Sequence, residues 1–575
     1  ELLSIPISGS GLGTATWNAG TLLANPSSSA RTIITYSSTS RDGIPFQWSN
    51  LDTAAQAAIQ GTDTATVAQQ RLDYLRGNAA NEGATATSFR QRPNTKLGDI
   101  VNSTPLYVGA PVGQYEDDRL YRAAYLSSAS YATFRNTGTY ANRTPIVYVG
   151  ANDGMLHGFD ANTGQERVAY VPRTVYGNLK SLSDQNYIHK YFVDGSPTAA
   201  DVEISGSWRT VLVGGLSGGG KGIYALDISN PANFSESNAA SLVLWEFSSG
   251  DDADLGYTYS KPMILKMNNG KWAAVFGNGY NNSNTGRAVL YILFIEDGID
   301  GTWGSNDYVK LDTKVGSVAT PNGLSSVNGI DFDGNGTVDY LYAGDLEGNV
   351  WKFDVTDGNK NNWKVAYGTT ATPQPLYTTC TADPCTATNR QPITTRPELT
   401  FHPTNLNSMM VYVGTGRYVD TLDPSITQTQ TMYGIWDNNA QVSGRNQLQQ
   451  QTFTTTTVGT ATYRIPSSTS MNWANKKGWF EDLPGIGERV VGTPTLTGGV
   501  LFYDTFVPST NVCSYGGDGY LMAVNFENGG LPNLAVFDTN GDNNFTSADA
   551  IVGGVQTTGT VGGSRTVRTA TTGGG

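Results

Sequence analysis

Cysteine is scarce in this chain: 575 residues carry three, Cys380, Cys385 and Cys513, beside three histidines, His157, His189 and His402. Cys513 alone cannot complete a tetrahedral zinc set, so a zinc centre is disfavoured. Charge is also sparse, 15 % of residues against roughly 25 % in an average globular protein. No Lys/Arg run interrupts a net charge of −13, which leaves no footprint for nucleic acid. No apolar stretch approaches the roughly 20 residues of a transmembrane helix. The chain opens at Glu1-Leu2-Leu3 without an initiator Met or signal peptide, as expected of a mature product or a piece of something longer. What is abundant is Gly (68), Tyr (30) and Trp (11). That composition excludes wholesale disorder and favours many short strands and turns. With little cysteine and charge but much Thr, Asn and Gly, it fits a bacterial periplasmic or surface protein.

A run of apolar or β-branched residues ending in Gly recurs along the chain: Leu106-Tyr-Val-Gly109, Val147-Tyr-Val-Gly150, Val211-Leu-Val-Gly214, Ala274-Val-Phe-Gly277, Leu341-Tyr-Ala-Gly344 and Val411-Tyr-Val-Gly414. Leu501-Phe-Tyr-Asp504 reads as a seventh. The spacings of 41, 64, 63, 67, 70 and 90 residues centre on a period near 65. A polar-residue–Pro step precedes most anchors (Pro105, Pro145, Pro197, Pro262, Pro397, Pro494), and a strand ending in Asp follows several, as at Asp160, Asp227 and Asp354. Asn268-Asn269-Gly270 is a hairpin signal between Met263 and Phe276. Each repeat therefore reads as an antiparallel sheet of about four strands, and radial stacking of about seven makes an all-β propeller. The expected organisation is an extension over 1–97, a propeller over 98–530 and a Gly/Thr-rich segment over 531–575. Within the extension, 51–75 reads as one helix with Asn50 as N-cap and Gly77 as C-cap.

The sharpest chemical motif is Asp331-Phe-Asp333-Gly-Asn335-Gly336-Thr337-Val338-Asp339. Oxygen-bearing side chains stand at positions 1, 3, 5 and 9, and the carbonyl of Thr337 is available at 7. A hard cation such as Ca²⁺ takes six to eight oxygens, which a tight loop with alternate ligands supplies. Position 12 is Tyr342 rather than Glu, so the bidentate ligand of a helical EF-hand is missing. The motif falls where the Asn268-Asn269-Gly270 turn stands in the preceding repeat, and so reads as a calcium loop in a β-hairpin. A second candidate calcium site uses Asp538, Asn540, Asp542, Asn544 and Asp549, with Asn543 in place of the turn glycine. Asp251-Asp252-Ala-Asp254 and Asp297-Gly-Ile-Asp300 lack that spacing and read as exposed turns. The glycine-rich stretch 214–222 has no phosphate-loop order, and no Gly-x-Ser-x-Gly elbow occurs. His157 reads as a strand residue rather than a general base. Cys380 and Cys385 suit a small loop disulfide in an oxidising compartment, or two inert thiols in a reducing one.

Five stretches together resemble the C-terminal domain of the PilY-type proteins, type IV pilus-associated surface adhesins of Gram-negative bacteria. They are Leu97-Gly-Asp-Ile-Val-Asn-Ser-Thr-Pro105, Val147-Tyr-Val-Gly-Ala-Asn-Asp-Gly154, Leu255-Gly-Tyr-Thr-Tyr-Ser-Lys-Pro262, Tyr342-Ala-Gly-Asp-Leu-Glu-Gly-Asn-Val-Trp-Lys-Phe-Asp354 and Gln391-Pro-Ile-Thr-Thr-Arg-Pro397. The resemblance spans 97 to about 530 and implies a modified β-propeller whose calcium loop falls on Asp331, Asp333, Asn335, Thr337 and Asp339. It further implies a non-enzymatic role at the pilus tip or cell surface, reached through the periplasm, with pilin and minor pilins as partners. Calcium-dependent control of extension against retraction (twitching motility) and adhesion to a host or abiotic surface are the expected activities. Relatives often carry a von Willebrand A-like module, which would lie upstream of Glu1. The chain has Arg76-Gly77-Asn78 and no Arg-Gly-Asp, so integrin-type binding is not supported. A rival from another class is the pyrroloquinoline-quinone dehydrogenase, another calcium-using propeller. Its Asp-x-x-Thr-Gly blade motif is matched at Asp160-Ala-Asn-Thr-Gly164, but this chain has no adjacent cysteines. A third reading is a structural spacer, against which the acidic loop argues.

Overall fold

The computed structural model describes all residues except 9–10, 25–29, 114, 116–129, 460, 510–516, 543–544 and 560–575. Six large sheets follow one another along the chain among the described residues. Two of them are plain four-stranded meanders: Thr198–Ile204, Ser207–Gly215, Gly222–Asp227 and Val243–Ser248, then Met263–Lys266, Trp272–Gly277, Arg287–Phe294 and Tyr308–Gly316. The fourth sheet runs through Leu324–Ile330, Tyr340–Asp345 and Asn349–Asp354. The fifth centres on Glu398–His402, Asn405–Gly414 and Thr431–Asp437, and the sixth on Thr495–Thr497, Val500–Asp504 and Gly517–Asn525.

Apolar clusters lie between consecutive sheets. Val211, Val213 and Phe247 of the second meet Ile264, Phe276 and Tyr291 of the third. Ala273, Leu290 and Ile292 on the third sheet's other face meet Leu341, Trp351 and Phe353 of the fourth. A middle strand is thus covered on both faces, so it reads as a continuous apolar run rather than an alternation. Trp272–Gly277 is buried at every position. The glycine that ends several of the anchors has a steric reason. A Cβ on Gly150 would stand 2.1 Å from the carbonyl oxygen of Val193, and one on Gly277 2.3 Å from that of Ser325. The chain entering the next sheet passes there, through its linker at Val193 and its first strand at Ser325, and only glycine leaves room.

The seven anchors fall in six sheets, not seven. Leu106–Val108 pairs antiparallel with Ile146–Ala151, so the first two anchors are neighbouring strands of one sheet, which explains their short spacing of 41. The two ends of the chain also differ from separate extensions. Ile33–Tyr36 joins the first sheet by parallel pairing with Glu166–Val171, while Leu2, Ala19, Leu23 and Leu97 pack with Val149 and Phe159 of that sheet. Gly554–Gly559 inserts between Ala461–Pro466 and Gly517–Asn525 in the last sheet. Val536, Phe537 and Val552 pack there with Val500 and Ala523. The terminal segments therefore bury faces of the first and last blades.

The expected 51–75 helix is two helices, Thr53–Gln60 and Ala65–Leu75. Gly61 adopts a positive φ of 58° and breaks the first. Asp52 rather than Asn50 caps it, accepting from Ala55 N at 2.8 Å, and Thr64 caps the second. No helix among the described residues is long and apolar enough to cross a membrane.

Candidate metal centre

Strands Leu324–Ile330 and Tyr340–Asp345 form a hairpin whose turn is 331–339. Ile330 pairs with Tyr340, and Asp339 N donates to Ile330 O at 2.8 Å to close it. Gly334 and Gly336 hold positive φ of 75° and 91°, the conformations that curl the turn onto itself. Carboxylate oxygens of Asp331, Asp333 and Asp339 consequently lie within 4.8 Å of one another. Among the described residues no other group of three His, Cys, Asp or Glu side chains meets that condition.

The loop's own amides hold these acids in place. Asp331 accepts from Asn335 N (3.0 Å) and Gly336 N (2.6 Å), and Asp339 from Phe332 N (2.8 Å) and Asp333 N (3.2 Å). Asn335 Oδ1 accepts from Thr337 N at 2.8 Å, with the Thr337 hydroxyl 2.5 Å away. Asp333 is exposed, Asp331 half-buried and Asp339 buried. Burial, followed by the nearby Asp333 charge, raises the Asp339 pKa above the ordinary carboxylate value although two backbone amides pull it down. Three carboxylates sharing one turn, the deepest of them reluctant to ionise, form a donor set that a divalent cation would relieve.

Two neighbouring blades clamp the turn, through residues the motif did not reveal. Asn268 Nδ2, from the hairpin of the third sheet, donates to Val338 O (2.8 Å) and Val355 O (3.0 Å) and lies 3.4 Å from Asp339 Oδ1. Asn268 Oδ1 stands 2.8 Å from the Thr337 hydroxyl. On the other side the Phe332 ring packs against Tyr340 and against Phe401 of the fifth sheet, with centroids 5.8 and 5.6 Å apart. The register expected from Asn268-Asn269-Gly270 is observed, and its first Asn reaches into the next blade.

At the second candidate, Asp538, Asp542 and Asp549 do not converge in this way, and Asn544 lies outside the described residues. Asp549 accepts from Thr539 N and Thr546 N, both at 2.9 Å, and Asn540 N at 3.3 Å. Those backbone amides lower its pKa. Asp538 accepts from Gly541 N at 2.7 Å.

Other acidic and polar motifs resolve into structure. Asp254 is buried rather than in an exposed turn, because Thr285 and the Lys310 ammonium bind it. Asp297 pairs with Lys271. Asp160 accepts from Asn162 N and Thr163 N at 2.9 and 3.2 Å, so the Asp-x-x-Thr-Gly stretch is a tight turn. His157 is fully buried in Met155–Asp160, between Glu166 (2.8 Å) and Asp153 (3.1 Å). Burial opposes its charge, but those two carboxylates push its pKa up to about 9. Cys380 and Cys385 are thiols rather than a disulfide. Burial and the neighbouring Cys385 push the Cys380 thiol up to about 12, which leaves it unreactive.

The PilY1 beta-propeller domain model matches residues 97–464. The type IV pilus biogenesis factor PilY1 of Pseudomonas aeruginosa strain PAK is 35 % identical over 577 residues, covering 91 % of this chain and 46 % of the relative. A PilY1 homolog of Xylella fastidiosa is 37 % identical over 487 residues, covering 83 % of this chain and 32 % of the relative. The chain therefore spans a third to a half of the length of these curated relatives. The crystal structure of the P. aeruginosa PilY1 C-terminal domain superimposes with a TM-score of 0.63 at 31 % identity, over 79 % of this chain and 94 % of that one. A quinohemoprotein alcohol dehydrogenase from Pseudomonas putida reaches only 0.29 at 12 % identity. The family match and these identities agree with the stacked sheets, and the chain belongs to the PilY1 beta-propeller family.

Proposed function

We propose that this chain is a calcium-binding, type IV pilus-associated protein, not an enzyme, which acts with pilin and minor pilins outside the inner membrane. In this reading calcium in the 331–339 turn biases pilus extension against retraction, and the protein contributes to surface adhesion. The observation that carries it is the convergence of three carboxylates within 4.8 Å in a blade hairpin, in a chain related to pilus biogenesis factors. Asp331, Asp333, Asn335 and Asp339 would hold the ion through side chains and Thr337 through its carbonyl. The ion supplies a fixed double positive charge at the turn. Asn268 and Phe332 tie that turn to the blades on either side, so its order bears on two interblade seams.

Calorimetry on chelator-stripped protein should show one calcium site in the micromolar-to-millimolar range of sensor and extracellular sites, lost in Asp339→Ala. Unchanged binding in that variant would sink the assignment. In cells that depend on this protein for piliation, Asp339→Ala should change surface piliation and twitching while the protein keeps its circular dichroism. Normal piliation and twitching without calcium binding would separate the site from pilus control and overturn that half of the reading.

A further inference from the structure

A cleft of about 260 Å³ lies away from the calcium loop, where the 90–99 segment crosses the first blade. Its acids are already engaged. Asp153 accepts from Gly98 N (2.8 Å) and contacts His157. Asp99 accepts from Asn152 Nδ2 (2.9 Å) and meets His189 (2.8 Å). Arg92, which also lines the cleft, is matched by Glu82 at 2.8 Å. Two cations are left over. Lys96 makes no hydrogen bond or ion pair among the described residues, and burial, followed by the Arg92 and Arg31 charges, lowers its pKa against the opposing pull of Glu82. Arg90 donates from Nε to Leu182 O at 3.0 Å and lies 4.5 Å over the Tyr187 ring, without a carboxylate partner among the described residues. In a chain of net charge −13, two cations in one concavity without an ion-pair partner among the described residues point to an anionic guest that sits beside them and away from Asp99. The remaining wall is mixed: Gln91 and Asn94 bring amides that donate and accept, beside Leu75, Pro93 and Leu97. The space suits one monosaccharide-sized unit better than a bare ion, and a wall of amides and apolar side chains suits a sugar's hydroxyls and C–H faces.

We propose that this cleft binds the carboxylate-bearing sugar of an acidic saccharide. Lys96 and Arg90 take the carboxylate, and the Gln91 and Asn94 amides take hydroxyls. The site needs no metal and stands independently of the calcium reading.

Titration of the full chain with D-glucuronate, D-galacturonate and N-acetylneuraminate, followed by ligand-observed NMR and calorimetry, tests this and separates uronate from sialate sources. At least one acid should bind, and more weakly as salt rises. Lys96→Ala should weaken it about tenfold or more, the loss of one charge-assisted contact. Lys96→Arg should restore most of the affinity, and the exposed Lys314→Ala should have no effect. Gln91→Ala, at an exposed position, gives a second variant in which folding is not at issue and should also weaken binding. Glucose should fail for want of charge and acetate for want of hydroxyls. Absence of binding by all three acids, equal binding of acetate or glucose, or an unaffected Lys96→Ala would each overturn the proposal.

Discussion

The 331–339 hairpin and the 538–549 loop carry oxygen-bearing side chains at the same first three alternate positions, yet only the first gathers its carboxylates. The difference lies in what closes each loop. The first is sealed by the Ile330–Tyr340 ladder pair and clamped by Asn268 and Phe401 from two other blades. Asp339 is thereby forced inward, where burial and Asp333 raise its pKa. Asp549 is as enclosed as Asp339, 6 % exposed against 5 %, but works as a cap for its own loop, with amides that lower its pKa. In the first loop ionisation is resisted and a cation would relieve it. In the second the amide dipoles already stabilise the charge. Ligand spacing sets which atoms are available, and the surrounding ladder decides whether they meet.

The sharpest way to break this contrast is a pair of substitutions. Asp339→Ala should reduce calcium affinity by about a hundredfold or more, since a carboxylate is among the strongest ligands of a hard cation. Asp549→Ala should leave affinity within error. Calorimetry on both variants decides it, and equal losses would show that the second loop contributes to the site.

Thermal stability gives the next largest effect. A ligand that binds only the folded state at a hundred times its dissociation constant stabilises it by about 2.7 kcal/mol. Calcium should therefore raise the Tm of the native chain and of Asp549→Ala, but not of Asp339→Ala. Chelated protein should keep its far-ultraviolet circular dichroism, because Leu341, Trp351 and Phe353 pack the blade independently of the turn. Global unfolding on chelation would make calcium a staple for the whole propeller and remove any local switch.

Asn268→Ala tests the clamp. The side chain donates to Val338 O and Val355 O, so its loss leaves carbonyls unpaired and loosens the turn at about 1–2 kcal/mol in all. Calcium affinity should fall several-fold with the ligands untouched. No change would mean that the hairpin ladder alone shapes the site.

Why Asn268 escaped notice in the sequence, while Asp331 to Asp339 did not, is a matter of distance along the chain. All the acidic donors sit within nine consecutive residues, so their spacing is local information. Asn268 and Phe401 come from other repeats and reach the turn only after sheets stack. The propeller itself was legible because strands covered on both faces read as short apolar runs, and because the chain entering the next sheet crosses glycines such as Gly150 and Gly277. Blade number was not, since Leu106 and Val147 carry the same signature although they are partners in one sheet. Gly61 and Thr64 marked the break in the 51–75 helix, but the Ala/Gln pattern on both sides concealed it. The cleft at Lys96 had no signature, because its walls come from an irregular segment, the ends of two helices and the turn after a distant strand.

The smallest expected effect is on pH, and it sets the end residues of the two loops against each other. Calcium needs Asp339 ionised, and burial holds that carboxyl above the ordinary value of 3.8. As pH falls, a proton should compete for Asp339 before it competes for an ordinary exposed aspartate, and calcium affinity should begin to drop there. For stability the sign follows the same shift. A raised Asp339 makes the folded state bind its proton more tightly than the unfolded chain does, so this carboxyl favours folding most below 3.8. That contribution is lost as pH rises through the higher folded value. Asp549, lowered by its amides, contributes stability above 3.8 that disappears as pH falls through its lower folded value. Carboxyl carbon NMR titration of chelated protein should therefore place the Asp339 midpoint above that of a free aspartate and the Asp549 midpoint below it. Adding calcium should move the Asp339 midpoint down and leave that of Asp549 in place. Coincident midpoints, or a calcium-induced shift at Asp549, would mean that the two loops are electrostatically alike and that neither the crowding of carboxylates at Asp339 nor the amides at Asp549 distinguish them.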